Sequence, residues 1–170
     1  MKPIRPSQIR IVDFPATRVA ALEYRGDPNL IGDSIRRFID WRKQSALPPR
    51  LSATFNIAYD DPEQTPPEDF RFDLCAATDK EIAANPFGVI GKVIPGGRCA
   101  VLRHVGSDDT LPVSVRYLYK EWLPNSDEEP RDFPLYFQRV SFFPDVPEHE
   151  ARQTTGAAAD PVVVTVPPLR

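Results

Sequence analysis

Apolar and polar positions alternate along this chain in short runs broken by prolines. Ile9–Phe14 reads as a strand. Pro15-Ala16-Thr17 is a turn, and residues 18–24 form a second, apolar-rich strand closed by Gly26. Asp27-Pro28 then signals a helix start, because Asp caps free backbone N–H groups and Pro fits the first helical position. Ile31, Ile35, Phe38, Ile39 and Arg42 recur on one face, which predicts a helix to about residue 45, before Pro48-Pro49. Residues 53–59 alternate as a strand and residues 60–67 form a rigid loop. Residues 70–76 alternate cleanly: Phe70, Phe72, Leu74 and Ala76 take one face, and Arg71, Asp73 and Cys75 the other.

The same order then returns. Residues 89–94 read as a strand, 95–97 as a turn and 98–105 as a strand. Asp108 or Asp109 caps a helix with Leu111, Val115, Leu118, Tyr119 and Trp122 on one face, ended by Pro124. Residues 136–143 and 162–166 are strands, and the weakly patterned stretch 153–160 is a mobile loop. The residues repeat as well. PATRVAALEYRGD at 15–27 and PGGRCAVLRHVGS at 95–107 share Pro15/Pro95, Arg18/Arg98, Ala20/Ala100, Leu22/Leu102 and Gly26/Gly106 at an offset of 80. The offset drifts to 81 where Phe38-Ile39-Asp40-Trp41 answers Tyr119-Lys120-Glu121-Trp122. It reaches 82 where Phe55-Asn56 answers Phe137-Gln138. The expected fold is α+β: a strand-strand-helix-strand-strand unit, duplicated. Its repeats, about 9–80 and 88–170, form a single domain with an antiparallel sheet, both helices on one face and a cleft between pseudo-twofold halves.

Composition narrows the function. Of the 170 residues, 41% are hydrophobic and 26% charged, the net charge is −3, and no basic stripe is present, so direct nucleic-acid binding is not expected. Twenty prolines against eight glycines suit stiff connections between strands. Cys75 and Cys99 sit in apolar runs without a CxxC partner and read as buried free thiols. With no signal-peptide apolar region and no transmembrane-length apolar run, the expected location is cytoplasmic, away from membranes. Asp60 and Asp61 lack further ligands at metal-binding spacing and read as loop caps; no cofactor or metal is expected. Arg71 and Asp73 suit a structural ion pair or turn anchor better than a ligand role, and His104 reads as structural. No nucleophile-elbow, P-loop or zinc pattern occurs, and no catalytic residue is assigned. A duplication without a catalytic motif points first to binding. Trp41 and Trp122 end the two helices in equivalent places, either as core packing or as aromatic walls of a cleft. Phe55, Tyr59, Tyr136 and Phe137 on the central strands are further candidates, although only one of the last pair can face a cleft.

These features together resemble the gyrase-inhibitor-like small-molecule-binding domains, which also form the effector-binding half of AraC-type and MerR-type multidrug regulators. The resemblance rests on the strand-turn-strand ending at Gly26 and the helix ending at Trp41. It rests too on Tyr59-Asp60-Asp61-Pro62, Thr65-Pro66-Pro67-Glu68, Arg71, Asp73 and Cys75, and on Ile94-Pro95-Gly96-Gly97. Trp122-Leu123-Pro124, Arg131-Asp132-Phe133-Pro134 and Val166-Pro167-Pro168-Leu169 complete it. It implies a cleft for a hydrophobic, often cationic aromatic compound, in a chain similar to the stand-alone members. Many members carry a cleft Glu in a Phe-Glu-x-Tyr pattern. Here Phe137 takes that place, and Glu148 and Glu150 either supply a substitute or stand as solvated turn residues. The expected role is sensing or sequestering an aromatic ligand rather than catalysis. Hydrolysis of cyclopropane-type toxins, and inhibition of a topoisomerase-like protein partner, are the alternatives that the resemblance brings.

Overall fold

The computed structural model describes residues 4–104, 110–130, 132–139 and 162–166, the last as backbone. In chain order the elements are β1 (Ile9–Phe14), β2 (Thr17–Arg25), α1 (Gly32–Gln44), β3 (Thr54–Ala58), β4 (Arg71–Ala77), β5 (Ile90–Ile94), β6 (Gly97–His104), α2 (Leu111–Tyr117), β7 (Leu135–Arg139) and β8 (Val162–Val166). The fold is α+β with antiparallel pairing, as the alternation requires.

The chain divides into two compact units, Ala16–Pro95 and Met1–Pro15 with Gly96–Arg170. The first runs in the strand order β3-β4-β2-β5 and the second in the order β7-β8-β6-β1. The two orders match, so the duplication seen in the residues is also a duplication of topology. The turn at residues 15–17 does not make a hairpin. β1 pairs with β6, and β2 takes β5 instead. Register also refines the sequence pairing. Ala20 lies opposite Ala76 as Ala100 lies opposite Val166, which makes Cys75 the counterpart of Thr165. Phe55 faces Cys75 and Tyr136 faces Thr165, so Phe55 corresponds to Tyr136 and the sequence pairing with Phe137 is one residue late.

In the first unit α1 packs on β2 and β4. The Asp27 side chain accepts a hydrogen bond from the Asn29 N–H at 2.9 Å and caps a 3-10 turn, Pro28–Leu30, that leads into the helix. The buried stripe is Ser34, Phe38, Trp41 and Arg42, whereas Ile35 and Ile39 stand 39% and 44% exposed. The expected face is thus rotated. Phe38 and Trp41 stack at 5.7 Å and fill more volume against the sheet than the two isoleucines, and they join Ala20, Leu22, Leu74, Ala76 and Val89 in one core. Buried Arg42 donates to the Leu47 and Ser52 carbonyls at 2.8 and 2.9 Å and to Thr54 Oγ1 at 2.7 Å, which ties the helix end to the start of β3.

The last turn of α1 closes with the Leu47 N–H bonding the Arg42 carbonyl at 3.0 Å, across Ala46 at φ 55. A side chain in this left-handed conformation is strained, so Ala46→Gly should stabilise the protein by about 0.5–1 kcal/mol in urea unfolding. In the second unit Pro124 does not end the helix. A π-helical turn, Leu118–Trp122, carries the chain into a last turn at Leu123–Asn125. The Leu123 N–H reaches back to the Leu118 carbonyl, and the wider turn accommodates the proline that follows.

Candidate functional site

Alternation along β4 sends Phe72, Leu74 and Ala76 toward α1 and leaves Asp73 and Cys75 on the opposite face. Register then decides what surrounds Asp73. Glu23 of β2 lies directly opposite it, and two like charges in that relation repel. Lys92, paired with Val19 on the far side of β2, resolves the repulsion: its Nζ lies 2.7 Å from Asp73 Oδ2 and 2.7 Å from Glu23 Oε2. Arg25 donates to Asp73 Oδ1 at 3.2 Å, and Tyr59, just past β3, donates its hydroxyl proton to Asp73 Oδ2 at 2.6 Å. Asp73 is fully buried. A carboxylate in such a place requires cations and donors on its oxygens, and here both oxygens have them.

The half-buried ring of Tyr59 is held by its hydroxyl and ringed by cations. Arg25, Arg71 and Lys92 approach its centroid at 5.4, 5.5 and 5.5 Å. Arg71 does not pair with Asp73. It donates to Asp60 at 3.0 Å through both Nε and Nη2, and Asp60 also accepts the Arg71 N–H at 2.9 Å. Arg71 is therefore a turn anchor, and this bond is the main reason that the Asp60 carboxyl sits below its ordinary pKa. Asp61 caps the same loop through the Glu63 N–H. Among the described residues no cluster suits a metal ion, and no helix is long and apolar enough to cross a membrane.

Of the residues singled out in the sequence, Tyr59 belongs to this cluster. Phe55 and Cys75 lie buried on the same sheet face. Trp41 lies in the core beneath α1. Trp122, partly exposed, is the last residue of the π-helical turn. Tyr136 is fully buried, with its hydroxyl 3.6 Å from Cys99 Sγ and its ring edge-on to Phe14 and Phe133. Phe137, also buried, takes the other face of β7, by register that of Leu102 and His104. His104 touches Ser114 of α2 at 2.8 Å, in line with a structural role. Both cysteines are buried free thiols, and burial raises the Cys75 pKa far above normal. Glu148, Glu150, Asp108, Asp109 and the stretch 153–160 lie outside the described residues. The sequence reading missed Lys92, Glu23 and Arg25. The available signal was a lysine inside the apolar run Ile90–Ile94.

Protons are held tightly here. Burial, then the bond to Asp73, raises the Tyr59 pKa. Partial burial opposes the Lys92 charge, but its bonds to Asp73, Glu23 and Tyr59 outweigh this and hold its pKa above the usual lysine value. Burial pushes Tyr119 up to about 12 and raises Tyr136 well beyond the phenol range. Each group binds its proton more tightly folded than unfolded. Their stabilisation is therefore complete below the unfolded values, about pH 10, and is lost as pH rises through the folded ones. Stability should fall steeply above about pH 10, with tyrosinate absorbance of these residues rising together with loss of circular dichroism. Tyrosinate at Tyr59, Tyr119 or Tyr136 that forms well before unfolding would contradict the assignment.

The chain has relatives in sequence and in fold. Residues 7–155 match the model of the GyrI-like small molecule binding domain. The chain is 41% identical over 141 residues to the probable transcriptional regulator YgiV of Escherichia coli (strain K12), over 82% of this chain and 88% of that one. The crystal structure of the EcmrR C-terminal domain superposes with a TM-score of 0.66 at 14% identity, covering 96% of this chain and 97% of that one. SAV2435 bound to tetraphenylphosphonium matches in fold with a TM-score of 0.53 at 8% identity, covering 95% and 93%. With its family model spanning most of its length and its strand order duplicated, the chain belongs to the GyrI-like small-molecule-binding domains.

Proposed function

We propose that the protein senses or sequesters a small hydrophobic, aromatic compound, with Tyr59 as a ring that meets it. The observation that carries this reading is Tyr59: a half-buried aromatic ring, fixed by its hydroxyl on a buried carboxylate, in a chain whose family binds small molecules. A ring already immobile loses little entropy on contact with a ligand. The bound form of SAV2435 supports a ligand with several aromatic rings. The resemblance implies a cleft Glu at the position of Phe137, which is buried with Leu102 and His104 on the face of β7 opposite Tyr136. With no carboxylate from that position a neutral compound is favoured over a cation, because an unpaired buried cation is costly.

The test is fluorescence titration with the neutral probe N-phenyl-1-naphthylamine. The wild type should bind it, and Tyr59→Ala should weaken binding about tenfold or more, a loss of about 1.4 kcal/mol, while the fold survives. Full affinity in the folded variant would remove this ring from the site. No binding by the wild type to this or other neutral aromatic probes would overturn the ligand class.

A further inference from the structure

A fully buried carboxylate beside an aromatic ring is an arrangement that holds a cation. In this chain a cation is already there. Lys92 Nζ sits 2.7 Å from Asp73 Oδ2, 3.2 Å from the Tyr59 hydroxyl and 5.5 Å from the centre of its ring. Its Nζ also lies 2.7 Å from Glu23 Oε2, and its side chain is 22% exposed. One side of the ammonium thus faces the carboxylates, and the side chain keeps partial access to solvent beside the half-buried Tyr59 ring.

The fold itself does not call for this cluster. By strand register, Asp73 and Lys92 correspond to Val163 and Val12 in the second unit. The same topology is built there with valine at both places. A carboxylate–lysine pair confined to one of two units with the same strand order serves something other than strand pairing.

We propose that Lys92 is a tethered cation that fills a cation site made by Asp73 and Tyr59, and that its presence sets the charge preference of the ligand site. This rests on the neutral-ligand reading above and gives it a second cause besides Phe137. Removing the ammonium leaves Asp73 Oδ2, Glu23 Oε2 and the Tyr59 ring without the cation that they share. Arg25 remains on the other oxygen, so the carboxylate is still partly neutralised and the variant can fold.

The experiment measures two probes, benzyltrimethylammonium by calorimetry and N-phenyl-1-naphthylamine by fluorescence, on the wild type, Lys92→Met, Lys92→Arg and Lys92→Met/Asp73→Asn. Lys92→Met should shift the ratio of the two affinities toward the cation by about tenfold or more. Lys92→Arg, which keeps the charge, should leave benzyltrimethylammonium binding as in the wild type, and Asp73→Asn added to Lys92→Met should abolish the gain. A folded Lys92→Met with an unchanged ratio overturns the proposal, as does a gain that survives Asp73→Asn. Should Lys92→Met not fold, Lys92→Gln is measured against the same outcomes. If the wild type does not bind N-phenyl-1-naphthylamine but Lys92→Met gains the cation, the neutral-ligand reading fails and the tethered cation stands. If the wild type binds it and the ratio does not move, the reverse holds.

Discussion

Asp73→Asn should destabilise the protein by about 3 kcal/mol in urea unfolding, although it changes one atom of a side chain. Asp73 accepts from Tyr59, Lys92 and Arg25 in a place without solvent, and the amide meets the Lys92 ammonium with only half of its acceptors and no charge. Lys92→Met should cost a similar amount, because it leaves the carboxylate with fewer compensating charges. The pair should not add. Lys92→Met in the Asp73→Asn background removes both sides of one interaction, so the double variant should recover about 2 kcal/mol of the summed loss. Strict additivity would show that the two groups touch without depending on each other.

Trp41→Ala should be the most damaging of the single changes, at about 4 kcal/mol, and should lower the melting temperature by about 12 °C. The ring is 6% exposed, stacks on Phe38 and fills the space between α1 and the sheet, so its removal leaves a void lined by Leu22, Leu74 and Val89. Trp41→Phe should cost less than half as much, because it keeps the stack. Thermal unfolding followed alongside probe binding separates two roles for this residue. A core residue lowers the melting temperature and leaves the affinity of the folded fraction intact. A loss of affinity at an unchanged melting temperature would place Trp41 against the ligand.

The strands were legible because each carries its own alternation. β1, β4 and β8 stand at or within one residue of the positions that the pattern predicted. The partners of those strands were not legible. Nothing local in residues 9–25 says that β1 will leave β2 and pair with β6, since that choice depends on strands about ninety residues downstream in the chain. The site suffered accordingly. Tyr59 stood out as an aromatic on a central strand and Asp73 as a partner for Arg71, but Lys92 lies 69 residues from Glu23 and reaches it only through the β2–β5 pairing. The helix face erred for another reason. Ile35 and Ile39 fit the period as well as Ser34 and Trp41 do, and only the volume available against the sheet decides between the two stripes.

The exchange of first strands has a consequence for synthesis. A chain leaving the ribosome completes the unit Ala16–Pro95 from contiguous sequence, so that unit can close as soon as β5 has emerged. β1 is made first and is placed last but for the strands that follow β6, its only partner among the described pairings. Until β6 emerges it is an unpaired strand with both backbone edges open, the kind of segment that recruits other chains. Its own residues guard against this: Arg10 and Asp13 put opposite charges on a strand of six, which weakens its pairing with apolar strands of neighbouring nascent chains while it waits for Arg98 and Val101 to arrive opposite them.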